Sequence, residues 1–158
     1  MYESPFPIIP VFRYNAGKRF SMKKTAFYSI SESLAVFGTG ALSYTGIEML
    51  WRGFSHWTMG ITGGFCLVCL YRLQKKYAAK PLFLRCAAGS AIITGAEFTV
   101  GCIVNRLLHW HVWDYSARPL NLLGQICPLF SVLWFLLCIP AFSLCRLLHR
   151  MFHLKPDT

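Results

Sequence analysis

The chain has 158 residues, 55% of them hydrophobic and 16% aromatic, with only 14% charged and a net charge of +10. That length suits one domain, and a soluble one would leave more surface than so few charges can cover, whereas in a bilayer the outer surface is free to be apolar. Sixteen Lys and Arg against six acids would suit nucleic acid, but the basic residues cluster beside apolar stretches and no nucleic-acid-binding motif accompanies them, which excludes that partner.

Residues 1–25 read as a basic, cytoplasmic N-terminal arm, punctuated by Pro5, Pro7 and Pro10 and ending in Lys18, Arg19, Lys23 and Lys24. The first apolar run begins late and has no small-residue cleavage site after it, so the reading includes no signal peptide. A membrane helix needs ~20 mostly apolar residues. Four stretches qualify, at residues 26–50, 57–73, 81–108 and 126–148. The first is the least apolar, since it carries Glu32, Glu48 and several serines. The third contains Glu97, and the fourth contains Pro140, where a kink is expected that bundle neighbours can accommodate. The predicted fold is therefore all-α: a polytopic bundle of about four transmembrane helices over residues 26–149, with a cytoplasmic tail at 150–158.

Orientation follows from the basic residues. Thirteen fall in the arm, the turn between the second and third spans (Arg72, Lys75, Lys76, Lys80, Arg85) and the tail (Arg146, Arg150, Lys155). Only Arg52, Arg106 and Arg118 fall on the other side. The positive-inside rule then puts both termini in the cytoplasm and the loop from Arg106 to Gln125 outside. Trp51, Trp57, Trp110 and Trp113 gather at the outer boundary, as an interfacial belt does.

Close packing is predicted at Gly60 and Gly64 in the second span, and along Ala87, Ala91, Gly95 and Thr99 in the third, a small-residue stripe at spacings of four. Thr45-Gly46-Ile47-Glu48 before His56-Trp57 is echoed by Thr94-Gly95-Ala96-Glu97 before His109-Trp110, which suggests a parallel repeat of two helical hairpins. Six of the seven cysteines sit in apolar segments, where thiols act as small hydrophobes. Cys66 and Cys69 form a CxxC, but with no second pair and no thioredoxin-like context packing is the preferred reading.

The chemistry-bearing residues gather on the outer side: Glu48, Arg52, His56, Glu97, Asn105, Arg106, Trp113, Asp114, Tyr115, Asn121 and Gln125. Glu97 lies ~22 Å along its helix, beyond mid-membrane. An ionisable group there costs ~2.5–3.5 kcal/mol on insertion scales and faces a partner or a cavity. Two readings stand side by side. In one, Glu48 and Glu97 pair with Arg52 and Arg106 and hold helix ends together, Glu48 and Arg52 being four apart. In the other, these acids and arginines line a binding site with the polar loop. His109, His111 and Asp114 offer a weaker metal-binding alternative; no metal and no cofactor are otherwise expected. GxxxxGK[ST], GxSxG and HExxH are absent, so no catalytic residues are assigned.

The stretch Gly46-Ile47-Glu48-Met49-Leu50-Trp51-Arg52-Gly53, His56-Trp57, Gly63-Gly64, Thr94-Gly95-Ala96-Glu97, Asn105-Arg106 and Trp113-Asp114-Tyr115-Ser116, followed by Asn121-Leu122-Leu123-Gly124-Gln125-Ile126, resembles the Putative ABC-transporter type IV family over residues 27–148. The family consists of small, mostly bacterial, multi-pass membrane proteins. The resemblance implies a helical fold in the plasma membrane and a permease role, and it carries no catalytic residues over. The expectation is a transporter or permease-like component rather than an enzyme, working in the bilayer as a homo-oligomer or with another membrane subunit. The alternatives are a membrane-embedded enzyme acting on a lipid, with Glu48 or Glu97 as acid–base group and Arg106 on the headgroup, and a membrane scaffold or assembly factor.

Overall fold

The computed structural model describes residues 16–153, with side chains from residue 30 onward. Among these residues there are four α-helices and no strand: α1 (Ala16–Arg52), α2 (Trp57–Tyr77), α3 (Leu82–Gly101) and α4 (Pro128–His153). A π-helical segment, Cys102–Leu107, continues α3. The all-α expectation holds. Residues 1–15 and 154–158, with most of the N-terminal arm and the tail, lie outside the described residues. Helix α1 nevertheless begins at Ala16, ten residues before the predicted first span.

The helix ends follow local chemistry. Helix α1 stops at Gly53, whose φ of +76° suits glycine alone at low cost, and whose N–H donates to the Met49 carbonyl at 3.0 Å. His56 caps α2, its Nδ1 accepting from the Thr58 N–H at 3.4 Å. Pro128 opens α4 at the first helical position, where its missing N–H costs nothing. The same helix runs unbroken through Pro140.

Helix α2 lies against α1 through glycine. A Cβ on Gly63 would sit 2.3 Å from Tyr44 Cβ, and one on Gly64 would sit 2.8 Å from the Phe37 ring. A Cβ on Gly40 would come within 2.7 Å of the Gly63 carbonyl. A Cβ on Gly60 would lie 3.1 Å from Thr45 Oγ1, so Gly60 and Gly64 both face α1 as their spacing predicts. The stripe in α3 does not. Ala87, Ala91, Gly95 and Thr99 are all exposed, and a Cβ on Gly95 would meet nothing within 4 Å. The close approach of α3 falls at Gly89, where a Cβ would lie 2.7 Å from Cys138 Sγ and 2.8 Å from Leu70 Cδ2. Spacing alone gives a stripe but not the face that a third and fourth helix will cover.

Val36, Leu67, Leu70, Ile93 and Phe142 form the main core together with the free thiols Cys66, Cys86, Cys138 and Cys145. All seven cysteines are free, and these four serve as the small hydrophobes expected. Two serines and a threonine tie α3 to α4: Ser90 Oγ donates to the Ser131 carbonyl at 2.6 Å, and Thr94 Oγ1 to Ser131 Oγ at 3.1 Å.

The outside of the bundle is apolar. Leu42, Leu50, Leu133, Leu136 and Leu147 are exposed, as are Trp51 and Trp57. Leaving these side chains exposed to water would be unfavourable, whereas contact with lipid carries no such cost. Among the described residues two continuous helical runs, Leu82–Leu107 and Pro128–His153, are long and apolar enough to cross a membrane. The paired Thr-Gly-x-Glu segments lead to different surroundings, since Glu48 meets an arginine and a serine while Glu97 meets an indole.

Candidate functional site

At the end of the bundle where α1 meets α2, residues 108–127 fold back over the helix ends. The π segment makes this possible. Its wider turn places Val104 and Asn105 inward, and both are buried. Asn105 Nδ2 donates to Gln125 Oε1 at 2.8 Å, while its Oδ1 accepts from the Val112 N–H at 2.7 Å. Trp113 is 8% exposed, packs with Met59, Val104 and Val112, and donates through Nε1 to the Gln125 carbonyl at 3.0 Å. The polar residues Asn105 and Gln125 thus hold the loop that carries the rest of the site.

The outer part of the loop is equally determined. Asp114 Oδ1 accepts from the Ser116 N–H at 2.8 Å and from Ser116 Oγ at 2.5 Å. These bonds hold the Asp114 carboxyl below the usual aspartate range. Asn121 pins the loop: its Nδ2 donates to the carbonyls of Ser116 and Arg118 at 3.0 and 2.8 Å, and its Oδ1 accepts from the Gly124 N–H at 2.9 Å. Four non-glycine residues, His109, His111, Leu120 and Leu123, have φ between 52° and 55°. Each such residue costs energy and persists only where its surroundings over-determine it.

On α1, Glu48 and Arg52 pair at 2.5 Å, as their spacing predicts. Ser55 Oγ also donates to Glu48 at 2.5 Å, and Arg52 Nη1 donates to the Val112 carbonyl at 3.0 Å, joining the helix end to the loop. Glu97 is not part of that cluster. Its side chain is 2% exposed, and Trp134 Nε1 donates to its Oε2 at 2.5 Å. Among the described residues no ion pair includes Glu97, which corrects its expected pairing with Arg52 or Arg106. The indole of α4 reaches it first, since α3 and α4 are in direct contact and the arginines are committed elsewhere. Arg106 is exposed and donates to the Leu123 carbonyl at 3.4 Å.

These elements enclose a cleft of about 470 Å3. Glu48, Arg52, Trp113, Asp114 and Tyr115 line it together with Tyr44, Trp51, Met59, Phe130 and Trp134. Tyr115 stacks on Phe130 with ring centroids 4.4 Å apart, Phe130 lies 6.4 Å from Trp134, and Trp134 6.0 Å from Tyr44. Burial pushes the Tyr115 phenol above its ordinary value. Tyr44, Ile47, Trp134 and Leu137 also line a second, adjoining groove of about 300 Å3, whose other walls are apolar apart from Ser43. His56 lies apart from the cleft, in a ring cluster with Trp57 and Trp110 at 5.5 and 5.6 Å.

Of the residues picked from sequence, five share the cleft and three (Asn105, Asn121, Gln125) support its loop. Tyr44, Phe130 and Trp134 were not foreseen. Trp134 carried a signal: of five tryptophans it alone falls deep in an apolar span, away from the interface. His109, His111 and Asp114 do not gather their ligand atoms. Among the described residues, the group that does comprises Glu32, His149 and His153.

The apolar exterior and the two long apolar helices define an all-helical membrane protein. The chain belongs to the family described as Putative ABC-transporter type IV, whose model matches residues 33–156. Its membership makes it a transporter-related membrane protein. No curated protein and no solved structure matches it.

Proposed function

We propose that this protein is a permease-like component of the plasma membrane that takes an amphiphilic substrate into the cleft between α1 and α4. One observation carries the reading: a charged pair, Glu48 and Arg52, and an aromatic row open into the same cleft, which continues past Tyr44 and Trp134 into an apolar groove. A polar head would meet Arg52, Glu48 and Asp114, and a hydrocarbon chain would lie toward Leu137, Pro140 and Leu144. Since Glu48 and Arg52 neutralise each other, a zwitterionic head fits better than a strongly charged one. Four spans with both termini cytoplasmic suit this reading, as does assembly with further copies or another membrane subunit, because so few helices enclose little on their own. Glu97 belongs to the wall, where it orients Trp134, and does not line the cleft. This weighs against the acid–base reading of that residue.

A lysophosphatidylcholine with a photoreactive group at its chain end, added to the protein in liposomes, should label Leu137 and Leu144 in preference to Leu129, Leu136 and Leu147, which are exposed but outside the cleft. Arg52→Ala and Trp134→Ala should lower both labelling and flux. Even labelling of all apolar positions on α4 would sink the proposal.

A further inference from the structure

At the opposite end of the bundle, Glu32 of α1 is 12% exposed and does not stand alone among serines, as it does in the sequence. Tyr71 of α2 donates its hydroxyl to Glu32, and the same oxygen lies 3.1 Å from His149 Nδ1 of α4. His149 and His153 are one helical turn apart, with ring centroids 4.2 Å from each other. One ligand atom each from Glu32, His149 and His153 falls within 4.8 Å of the others, and His153 Nδ1 is 3.9 Å from Glu32 Oε1.

We propose that Glu32, His149 and His153 form a site for a divalent transition metal of the Zn2+ class. Two imidazoles and one carboxylate are a borderline donor set that suits Zn2+ better than Ca2+ or Mg2+. Bonds of about 2.0–2.2 Å place tetrahedral ligand atoms roughly 3.3–3.6 Å apart, so the three groups need close by no more than roughly 1.2–1.5 Å. His153 sits at the exposed end of α4 and has room to make that movement. The Tyr71 hydroxyl between Glu32 and His149 is the outer-shell contact that orients a ligating imidazole and carboxylate. Three protein ligands leave a coordination position open, so the ion would be exchangeable or reactive rather than enclosed. Lys75 Nζ, 3.4 Å from Glu32, competes for the carboxylate, but at 42% exposure it is free to swing into water when the metal enters. This site is independent of the amphiphile cleft, with which it shares no residue.

Tag-free, full-length protein in detergent, stripped with chelator, should take up one Co2+ per chain with visible absorption bands that Zn2+ displaces. His153→Ala should weaken Co2+ binding at least about 10-fold with unchanged helicity, since that side chain is exposed and its loss leaves the bundle intact. Tyr71→Phe should weaken it about 10- to 100-fold, the usual effect of losing an outer-shell partner. Lys75→Met should strengthen it. Substituting His109 and His111 with alanine should change nothing. Absence of Co2+ binding, binding indifferent to His153→Ala, or binding lost with His109 and His111 would each overturn the assignment.

Discussion

At the scale of single residues, the contact between Glu97 and Trp134 separates two roles that a buried glutamate can play. A carboxylate taken out of water needs donors, and here an indole N–H supplies one. A buried hydrogen bond that loses one partner costs ~1–3 kcal/mol. Glu97→Ala should therefore lower unfolding stability in detergent by about that amount, while Glu97→Gln, which keeps an acceptor, should cost less. A double-mutant cycle pairing Glu97→Gln with Trp134→Phe should show coupling; strict additivity would mean the two groups do not support each other. Asp114 offers a test by pH. Its folded-state pKa lies below the ordinary value, so its contribution is fully present above the unfolded aspartate pKa of ~3.9 and is lost as pH falls through the folded one. Trp113 fluorescence should be steady at neutral and mildly acidic pH and change in strong acid, and Asp114→Asn should remove that acid step. An identical step in the variant would assign it to another group.

Among the elements, the interface of α1 with α2 has the least room. Overpacking a tight contact costs ~1–3 kcal/mol, and at Gly63 the added atom meets the Tyr44 backbone-proximal Cβ rather than a flexible tip. Gly63→Ala and Gly64→Leu should thus lower the thermal midpoint in detergent well below that of the parent, whereas Gly95→Ala should leave it nearly unchanged, given the open space at that position. Equal losses in all three would contradict the assignment of the packed face. The π segment matters for a different reason. A regular helix through Cys102–Leu107 would rotate Asn105 away from Val112 and Gln125, and the loop would lose the two bonds that seat Trp113.

For the whole molecule, sidedness of charge and the position of the cleft are linked. The last turn of α2 and its connection to α3 carry Lys75, Lys76 and Lys80, while the cleft opens at the other end, beside Arg52 and the loop. The orientation proposed above, with the basic end in the cytoplasm, would turn the cleft to the outer leaflet. Reporter fusions after Thr158 should then be active only with cytoplasmic reporters, and activity of an externally folding reporter there would reverse the orientation.

Composition and apolar run length determined the helical class, the membrane setting and those helix ends where the chain turns, though not the start of α1 or the ends of α2 and α4, which run on past the apolar stretch. The ends that were legible depend on local hydrophobicity and on residues such as Gly53 and Pro128 that act within one turn. The pairing of Glu48 with Arg52 was legible for the same reason, both lying on one helix. Partner choice across helices was not. Whether Glu97 met Arg106 or Trp134, whether Gly89 or Gly95 faced α4, and whether Glu32 met two histidines 117 and 121 residues further on depended on the rotation of each helix about its axis. Several apolar faces of similar strength leave that rotation open in the sequence, and only the simultaneous packing of all four helices decides it.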